Sequence, residues 1–477
     1  MSPRPVTGVQ WSLLVAVFLL ATLSFAFSSY ESFALLAWLF LAANVILIVD
    51  IGLESLHTRC FGKLLLAVSM LLFYWVDSVV LARQDPSFAV PPGIPAGTSQ
   101  FELADVRLAF IYVALFQMTL FVGYSVRPGL RLLQAWVGSR LDSRHRETWR
   151  FRYAIAACGY VVMVVAYGSS ISVVGGVLFA ARSSFDAEWK DPGLIGNLFC
   201  LGIAGSSLVL VQALCYRGQG RWLRFLWGAL TALPFLMLGT RHQLLFLVLP
   251  VLLVFLRRWP GKLTAIVFLR WSSGCLLVWL LLQVQFAVRT AGWSSITTVN
   301  EEQLFDPNTN GQFTALLFAE HLVPGEHAYF HELAEPYFLT HWVPRSIWPG
   351  KPDMESWQYY NSAWTQGAAF NVTPSVIGQF HMNFGILGVF FIGFWLGLLT
   401  HIADRITASI NLGRQLAMSV VVGLFYGFIV SSFRFYSPIY LTFFVLGALP
   451  MLLLTHRTVT SSKVRPRWLG CQRPECT

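Results

Sequence analysis

The feature that most constrains this chain is a succession of apolar runs, each close to the roughly 20 residues that a helix needs to cross the hydrocarbon core of a bilayer. Twelve are marked by the sequence: 10–28, 33–52, 63–82, 106–126, 153–172, 194–215, 223–239, 242–257, 265–287, 384–402, 415–432 and 437–455. The seventh and eighth are short and flank the tight turn Gly239-Thr240-Arg241. Inside hydrocarbon every backbone polar group has to be satisfied by the protein itself, so such runs are expected as helices. The composition agrees: 56% of the 477 residues are hydrophobic and 12% are charged, where soluble domains carry about a quarter charged residues. The first run, Trp11 to Phe27, follows a single arginine and is not trailed by a clear small-x-small cleavage site, so it reads as a first span rather than a signal peptide. The expected fold is an all-α polytopic membrane protein of about 12 transmembrane helices in a single transmembrane domain, residues 1–477.

The net charge of +10 raises nucleic acid as a partner, but its distribution along the chain argues against that class. With the N-terminus inside, the inner segments receive 24 of the 33 basic residues and 6 of the 23 acidic ones. The segment from Arg127 to Arg152 alone holds seven arginines, and the tail from Arg457 holds five basic residues. That asymmetry is the signal by which membrane proteins are oriented, and it places both termini on the cytoplasmic side. The seven cysteines (Cys60, Cys158, Cys200, Cys215, Cys275, Cys471 and Cys476) fall in spans or inner segments and form no CxxC pattern, so neither a disulfide framework nor a zinc site is expected.

Two outer segments break the rule of short connections. One is the loop 169–192. The other, 288–383, is long enough to be functional, is rich in Trp, Tyr, Pro, His and acidic residues, and is expected to carry short helices that lie on or dip into the membrane. Within it, HWVPRSIWPGKP (His341–Pro352) joins prolines that stiffen the backbone, two tryptophans and two cations. The outer cations are Arg83, Arg107, Arg182, Lys190, Arg241, Arg289, Arg345, Lys351 and Arg434. A single arginine at a membrane edge is explained by snorkelling to headgroups; several converging from different hairpins suggest an anion site. Arginine's planar fork suits phosphate, so a phosphate or diphosphate at headgroup level is the anion expected. His327 and His331 in HAYFHE stand at helical i, i+4 spacing, but without the glutamate of HExxH; an interfacial helix is the plainer reading, and no metal or other cofactor is expected.

VPRSIWPGKP, followed by NVTPSVIGQFHMNFGILG, resembles the signature region of the Wzy-type O-antigen polymerases, the bacterial oligosaccharide repeat unit polymerases. Pro344, Arg345, Trp348, Lys351 and Pro352 match the loop; Thr373, Ser375 and Gly378 match the helix start; Asn383, Phe384 and Gly385 match the NFG turn into a membrane helix. The signature covers some forty residues, and the Gly239–Arg241 turn and the twelve-span topology fit the family too. Arg182 and Gly193 have the R-x10-G spacing seen in some members, and Gln379 stands where many have glutamate.

The resemblance implies a GT-C-type membrane glycosyltransferase. It would polymerise undecaprenyl-diphosphate-linked repeat units into surface polysaccharide on the periplasmic face of the bacterial inner membrane. A flippase and a chain-length regulator are the implied partners. For the leaving diphosphate the residues offer Arg241, Arg289 and Arg345, with Arg182, Lys351 and Arg434 behind them. For a base they offer Glu335, His341 and His381. Tyr337, Trp342, Trp348, Trp357, Tyr359 and Tyr360 suit stacking on sugars, and Asn383 suits hydrogen bonding to them. An O-antigen ligase shares the donor and the topology and stays open as an alternative. A flippase or transporter stays open as another, with Asp77 in YWVDSVVLA the main acid inside a span.

Overall fold

The structure is a computed structural model of the chain. It describes residues 5–58, 60–84, 88, 101–126, 193–215, 241–258, 311–334, 348–350, 355–365, 373–409 and 416–434, with single residues or pairs at 161, 222–223, 226, 228, 230 and between 441 and 452. The described residues are helical with short connections and contain no strand.

The helices are α1 (Gly8–Leu23), α2 (Tyr30–Thr58), α3 (Gly62–Met70), α4 (Val76–Gln84), α5 (Leu103–Ser125), α6 (Gly193–Cys215), α7 (Arg241–Arg258), α8 (Gln312–Leu322), α9 (Glu355–Thr365), α10 (Val376–Ser409) and α11 (Leu416–Arg434). Five stretches are long and apolar enough to cross a membrane: Gly8–Ala26, Tyr30–Ser55, Gly62–Arg83, Leu103–Ser125 and Val376–Ala408. Shorter apolar helices run Gly202–Leu214, Leu245–Leu256 and Met418–Arg434. Eight of the expected runs therefore coincide with apolar helices. The runs at 153–172, 223–239 and 265–287 lie almost wholly outside the described residues. The outward faces of α1, α2 and α10 expose Val15, Leu19, Leu35, Ile46, Leu387 and Phe391, as suits a hydrocarbon surround.

The centre of the bundle is α5 against α10. Helices in lipid gain nothing from escaping water, so their association rests on close packing and on hydrogen bonds. Here glycine supplies the first. A Cβ at Gly397 would overlap the carbonyl oxygen of Leu120, and one at Gly123 would overlap that of Phe394. Hydrogen bonds supply the second. Trp75 Nε1 donates to Gln117 Oε1 at 2.9 Å, and Gln117 Nε2 to Asn44 Oδ1 at 2.7 Å, which joins α2, α5 and the π turn Leu71–Trp75 between α3 and α4. At one end of the bundle Asp404 accepts from Gly62 N at 3.0 Å and from the hydroxyls of Tyr124 and Tyr426. At the other end Tyr30 Oη donates to Phe101 O at 2.7 Å, and Arg107 reaches the carbonyls of Ser24 and Phe27.

The long segment 288–383 does carry short helices. The first of them among the described residues, α8, is inserted into the bundle against α4, α5 and α10, and its residues from Gln312 to Glu320 are all buried. Its N-terminus is held by Asp77 of α4, whose Oδ2 accepts from Phe313 N at 2.8 Å and Thr314 N at 2.9 Å. These are the orphan donors of a first helical turn, and a carboxylate there also complements the helix dipole. Asp77, the acid on which a transport reading leaned, is thus seen as a cap. Helix α10 begins at Val376, eight residues before the expected span at 384. It contains a break at Gly385, with φ 61° and ψ −147°. That region of backbone space is essentially confined to glycine and costs another residue on the order of 1–3 kcal/mol, so the chain breaks within Asn383-Phe384-Gly385.

Two substitutions test this architecture. Gly397→Val is expected to remove folded protein from the membrane, read as loss of a monodisperse peak after detergent extraction. Asp77→Ala should cost about 1–2 kcal/mol, the usual loss of a cap, with Asp77→Asn intermediate. The accessibility of a cysteine placed at Thr314 to a thiol reagent would report it.

Candidate functional site

The first part of α10, residues 376–384, is where the sequence signature becomes geometry. Ser375 Oγ accepts from Gly378 N at 3.0 Å and so caps the helix. Gly378 is in close contact with α8, since a Cβ there would lie 2.9 Å from Ala319 Cβ. The chain leaving α8 then folds back over α10 as a strap, residues 323–334. Three hydrogen bonds fasten it: His381 Nε2 to Val323 O at 2.7 Å, Phe330 N to Met382 O at 3.0 Å, and Leu333 N to Asn383 Oδ1 at 3.1 Å. Asn383 Nδ2 donates back to Gln379 O at 3.0 Å. Gly385 leaves room for Tyr329, whose Oη would stand 3.1 Å from a Cβ there.

The strap is not the interfacial helix that HAYFHE suggested. Residues 328–331 form no helix or strand, and His331 has φ 57°. His327 stacks on Phe330, with ring centroids 4.2 Å apart, while His331 lies near Phe384 and Tyr329. The i, i+4 metal spacing presumed a helix, and without one the two rings take different neighbours. Glu332 accepts from the backbone N–H and hydroxyl of Ser356 and ties the strap to the start of α9.

His381 is 2% exposed. A carbonyl only accepts, so Nε2 carries the hydrogen that binds Val323 O, and in the neutral ring Nδ1 is left as an acceptor. Nδ1 is buried with no hydrogen-bond partner among the described residues. Around the ring stand Tyr112 of α5, centroids 5.0 Å apart, and Tyr329 of the strap, 6.0 Å apart.

The same corner holds an acid that the sequence did not single out. Glu320, in the last turn of α8, is buried, and among the described residues neither of its carboxylate oxygens has a hydrogen-bond partner. It lies close enough to Tyr112 and Asp105 for their charges to interact. Burial first, and the negative charge of Asp105 second, hold the Glu320 carboxyl well above the ordinary glutamate range. Asp105 is 3.5 Å from His321 Nδ1, and His321 Nε2 is 3.7 Å from Glu326. A glutamate with a lysine or arginine partner would not have this environment, and only tertiary packing reveals that none is supplied among the described residues.

Arg434, at the end of α11, is half-buried, and its Nε lacks a partner. Its neighbour Phe433 accepts from Tyr74 Oη at 3.0 Å, and that hydroxyl also approaches Ser375 and the start of α10. Arg434 therefore belongs to the same end of the bundle as the cap of α10. Gln379, in the place where a carboxylate was not expected to act, is buried with its amide unpartnered. Trp348 is described and exposed, in a turn. Arg241 is the first residue of α7, with its side chain outside the description. Arg182, Arg289, Glu335, Tyr337, His341, Trp342, Arg345 and Lys351 lie outside the described residues. Among the described residues no group of three or more His, Cys, Asp and Glu is placed to hold a metal.

Comparison with protein-family models, with curated proteins and with solved structures gave no match.

The Glu320 environment makes a prediction with a definite sign. Folding favours the protonated carboxyl, so the folded state binds more protons than the unfolded one above the ordinary glutamate range, and stability falls as pH rises there. Glu320→Gln removes this loss. In a detergent-solubilised thermal melt the variant should gain on the native protein as pH is raised, and the gap should close toward acid pH. A difference that is constant with pH would contradict the assignment.

Proposed function

We propose that the chain is a membrane glycosyltransferase that polymerises undecaprenyl-diphosphate-linked oligosaccharide repeat units into O-antigen, capsule or exopolysaccharide. In this reading it has about twelve spans with a GT-C-type architecture and sits in the bacterial inner membrane with both termini cytoplasmic. The end that carries α8 and the strap faces the periplasm, beside a flippase and a chain-length regulator. The observation that carries the reading is His381. It lies within the sequence signature, its Nε2 is fixed on Val323 O, and its Nδ1 is an unused, buried acceptor. The other described signature residues support it, since Ser375 caps the helix, Gly378 admits α8 and Asn383 holds the strap.

The chemistry follows from that arrangement. The acceptor sugar's hydroxyl gives its proton to His381 Nδ1, and its oxygen bonds to the anomeric carbon of the donor glycan. The bond from that carbon to the diphosphate oxygen breaks, and its electron pair leaves with undecaprenyl diphosphate. Arg241, Arg289 and Arg345 meet the developing charge, with Arg182, Lys351 and Arg434 binding the lipid-linked substrates. Preorganised cations of this kind are worth most in a half-dry site. Tyr337, Trp342 and Trp348 offer flat apolar faces to sugar rings. Glu335 and His341 are the other bases considered; His381 is preferred because its tautomer and its free nitrogen are both defined.

Deleting the gene should abolish the surface glycan ladder on a gel and leave single-repeat material. Complementation with His381→Ala, at matched protein level, should restore ~1% of the polymer or less, the scale of a lost general base. A normal ladder from that variant would sink the assignment of the base. Long lipid-linked glycan that fails to reach lipid A core in the deletion strain would instead mark a ligase.

A further inference from the structure

The last turn of α8 carries a base that the mechanism above does not use. Both ring nitrogens of His321 face carboxylates on other elements. Nδ1 is 3.5 Å from Asp105 of α5, and Nε2 is 3.7 Å from Glu326 of the strap. Both gaps are a little longer than the roughly 2.7–3.2 Å of a formed N–H···O bond. The two acids are themselves held in place. The same Asp105 oxygen accepts from Glu102 N at 3.3 Å in the capping box of α5. Glu326 lies in the turn that follows α8, where its N–H donates to Leu322 O at 2.9 Å and that of His327 to the same oxygen at 3.0 Å. His321 thus sits where the N-terminus of α5, the end of α8 and the root of the strap meet.

The charge state of the ring decides what this junction can do. A neutral imidazole has one N–H and one acceptor nitrogen. It donates to one of the two carboxylates and turns a lone pair toward the other, which also only accepts. The imidazolium donates from both nitrogens, through charge-assisted bonds. It is the one charge state in which both contacts are favourable, and a cation also suits the C-terminal end of a helix. Imidazole ordinarily changes charge between about pH 5 and 8.

The other charged and titratable groups around the junction leave this pairing intact. On α5, Glu102 adds a further carboxylate near Asp105, and Arg107 is engaged with the carbonyls of Ser24 and Phe27. Tyr30 of α2 approaches Asp105 but donates to Phe101 O. On α8 itself, Glu320 is buried near Tyr112 and Asp105. Asp77 of α4 is at the opposite end of α8, and Tyr74 of the π turn donates to Phe433 O. On α10, His381 binds Val323 O. On α9, Tyr360 donates to Ala315 O, and Tyr359 lies against His327 and near Glu326. Among the described residues no lysine or arginine pairs with Asp105 or Glu326.

We propose that His321 is a proton-operated clasp for the strap. On acidification its imidazolium bridges Asp105 and Glu326, and the strap is held down over α10. As the proton is lost one arm is released, and the strap lifts more readily from Met382 and Asn383. The opposite end of α8 is held by Asp77 through backbone N–H groups, which do not titrate, so the response is confined to the C-terminal end of the helix and the strap. The inference does not depend on the function proposed above.

Hydrogen–deuterium exchange of the full-length protein in phospholipid nanodiscs tests it, across about pH 5 to 8 and with rates corrected for the intrinsic pH dependence of exchange. The strap amides, Phe330 and Leu333 among them, should be ~3- to 10-fold better protected at the acid end, the scale of one or two partly exposed ion pairs. The amides of Phe313 and Thr314 should show no such change and serve as the internal reference. His321→Gln and Glu326→Gln should each abolish the pH response of the strap. Glu326 is exposed, so its substitution leaves the fold intact. The clasp is overturned if strap protection in the native protein is constant with pH, or if the first turn of α8 responds equally. It is also overturned if the response survives either glutamine variant, as it would were His327, His331 or His381 its source.

Discussion

Backbone contact between α5 and α10 is the constraint on which the rest of the molecule depends. Among apolar helices in an apolar surround, dispersion between closely fitted surfaces replaces the hydrophobic effect as the force that selects partners. Gly123 and Gly397 let carbonyl groups of one helix rest against the Cα atoms of the other. Because the two helices are pinned over several turns, the first part of α10 is delivered to a fixed place above Tyr112. There it meets α8 through Gly378, and the break at Gly385 lets the chain turn from that contact into the long apolar helix. The corner holding His381 and Glu320 is a consequence of this helix pairing, although neither residue takes part in it.

Polar groups inside the bundle fall into two populations. One is satisfied: Asn44, Gln117 and Trp75 form a continuous chain, and Asp404 is enclosed by Gly62, Tyr124 and Tyr426. These groups hold helices together at a depth where water is absent. The other includes Glu320, Gln379, His381 Nδ1 and Arg434 Nε, which are buried and lack protein partners. All four lie at the end where the strap and α8 close over α10. The first population is satisfied within the protein, whereas these four groups share the end of the bundle closed by the strap and α8.

Much of this was legible in the sequence. Eight of the twelve expected runs were, because a bilayer fixes helix length and hydropathy reports it directly; α6 and α7 begin within a residue of their expected starts. The break at the NFG turn was legible from local pattern. The early start of α10 was not, since Val376-Ile377-Gly378-Gln379-Phe380-His381 includes a glycine and two polar residues and falls below a membrane-span reading while remaining helical. Nor was Glu320, whose character comes from Asp105 and Tyr112, more than two hundred residues away in sequence. The spacing of His327 and His331 misled because it assumes a helix that the chain after Pro324 does not form. Asp404 lies beyond the expected end of its span at 402 and is buried because α10 runs on to Ser409.

Asp77 has a further consequence. The first turn of α8 is completed by a carboxylate that precedes it by 236 residues, and the faces of the helix are covered by α4, α5 and α10. An 11-residue helix is too short to persist in water by itself. The shape of this part of the long segment 288–383 is therefore stored in the helical bundle and not in the segment. Excised as a peptide, or grafted onto a soluble carrier, residues 311–334 would lose the corner they form here. Antibodies raised against such a fragment would recognise a different object from the one that the intact chain displays.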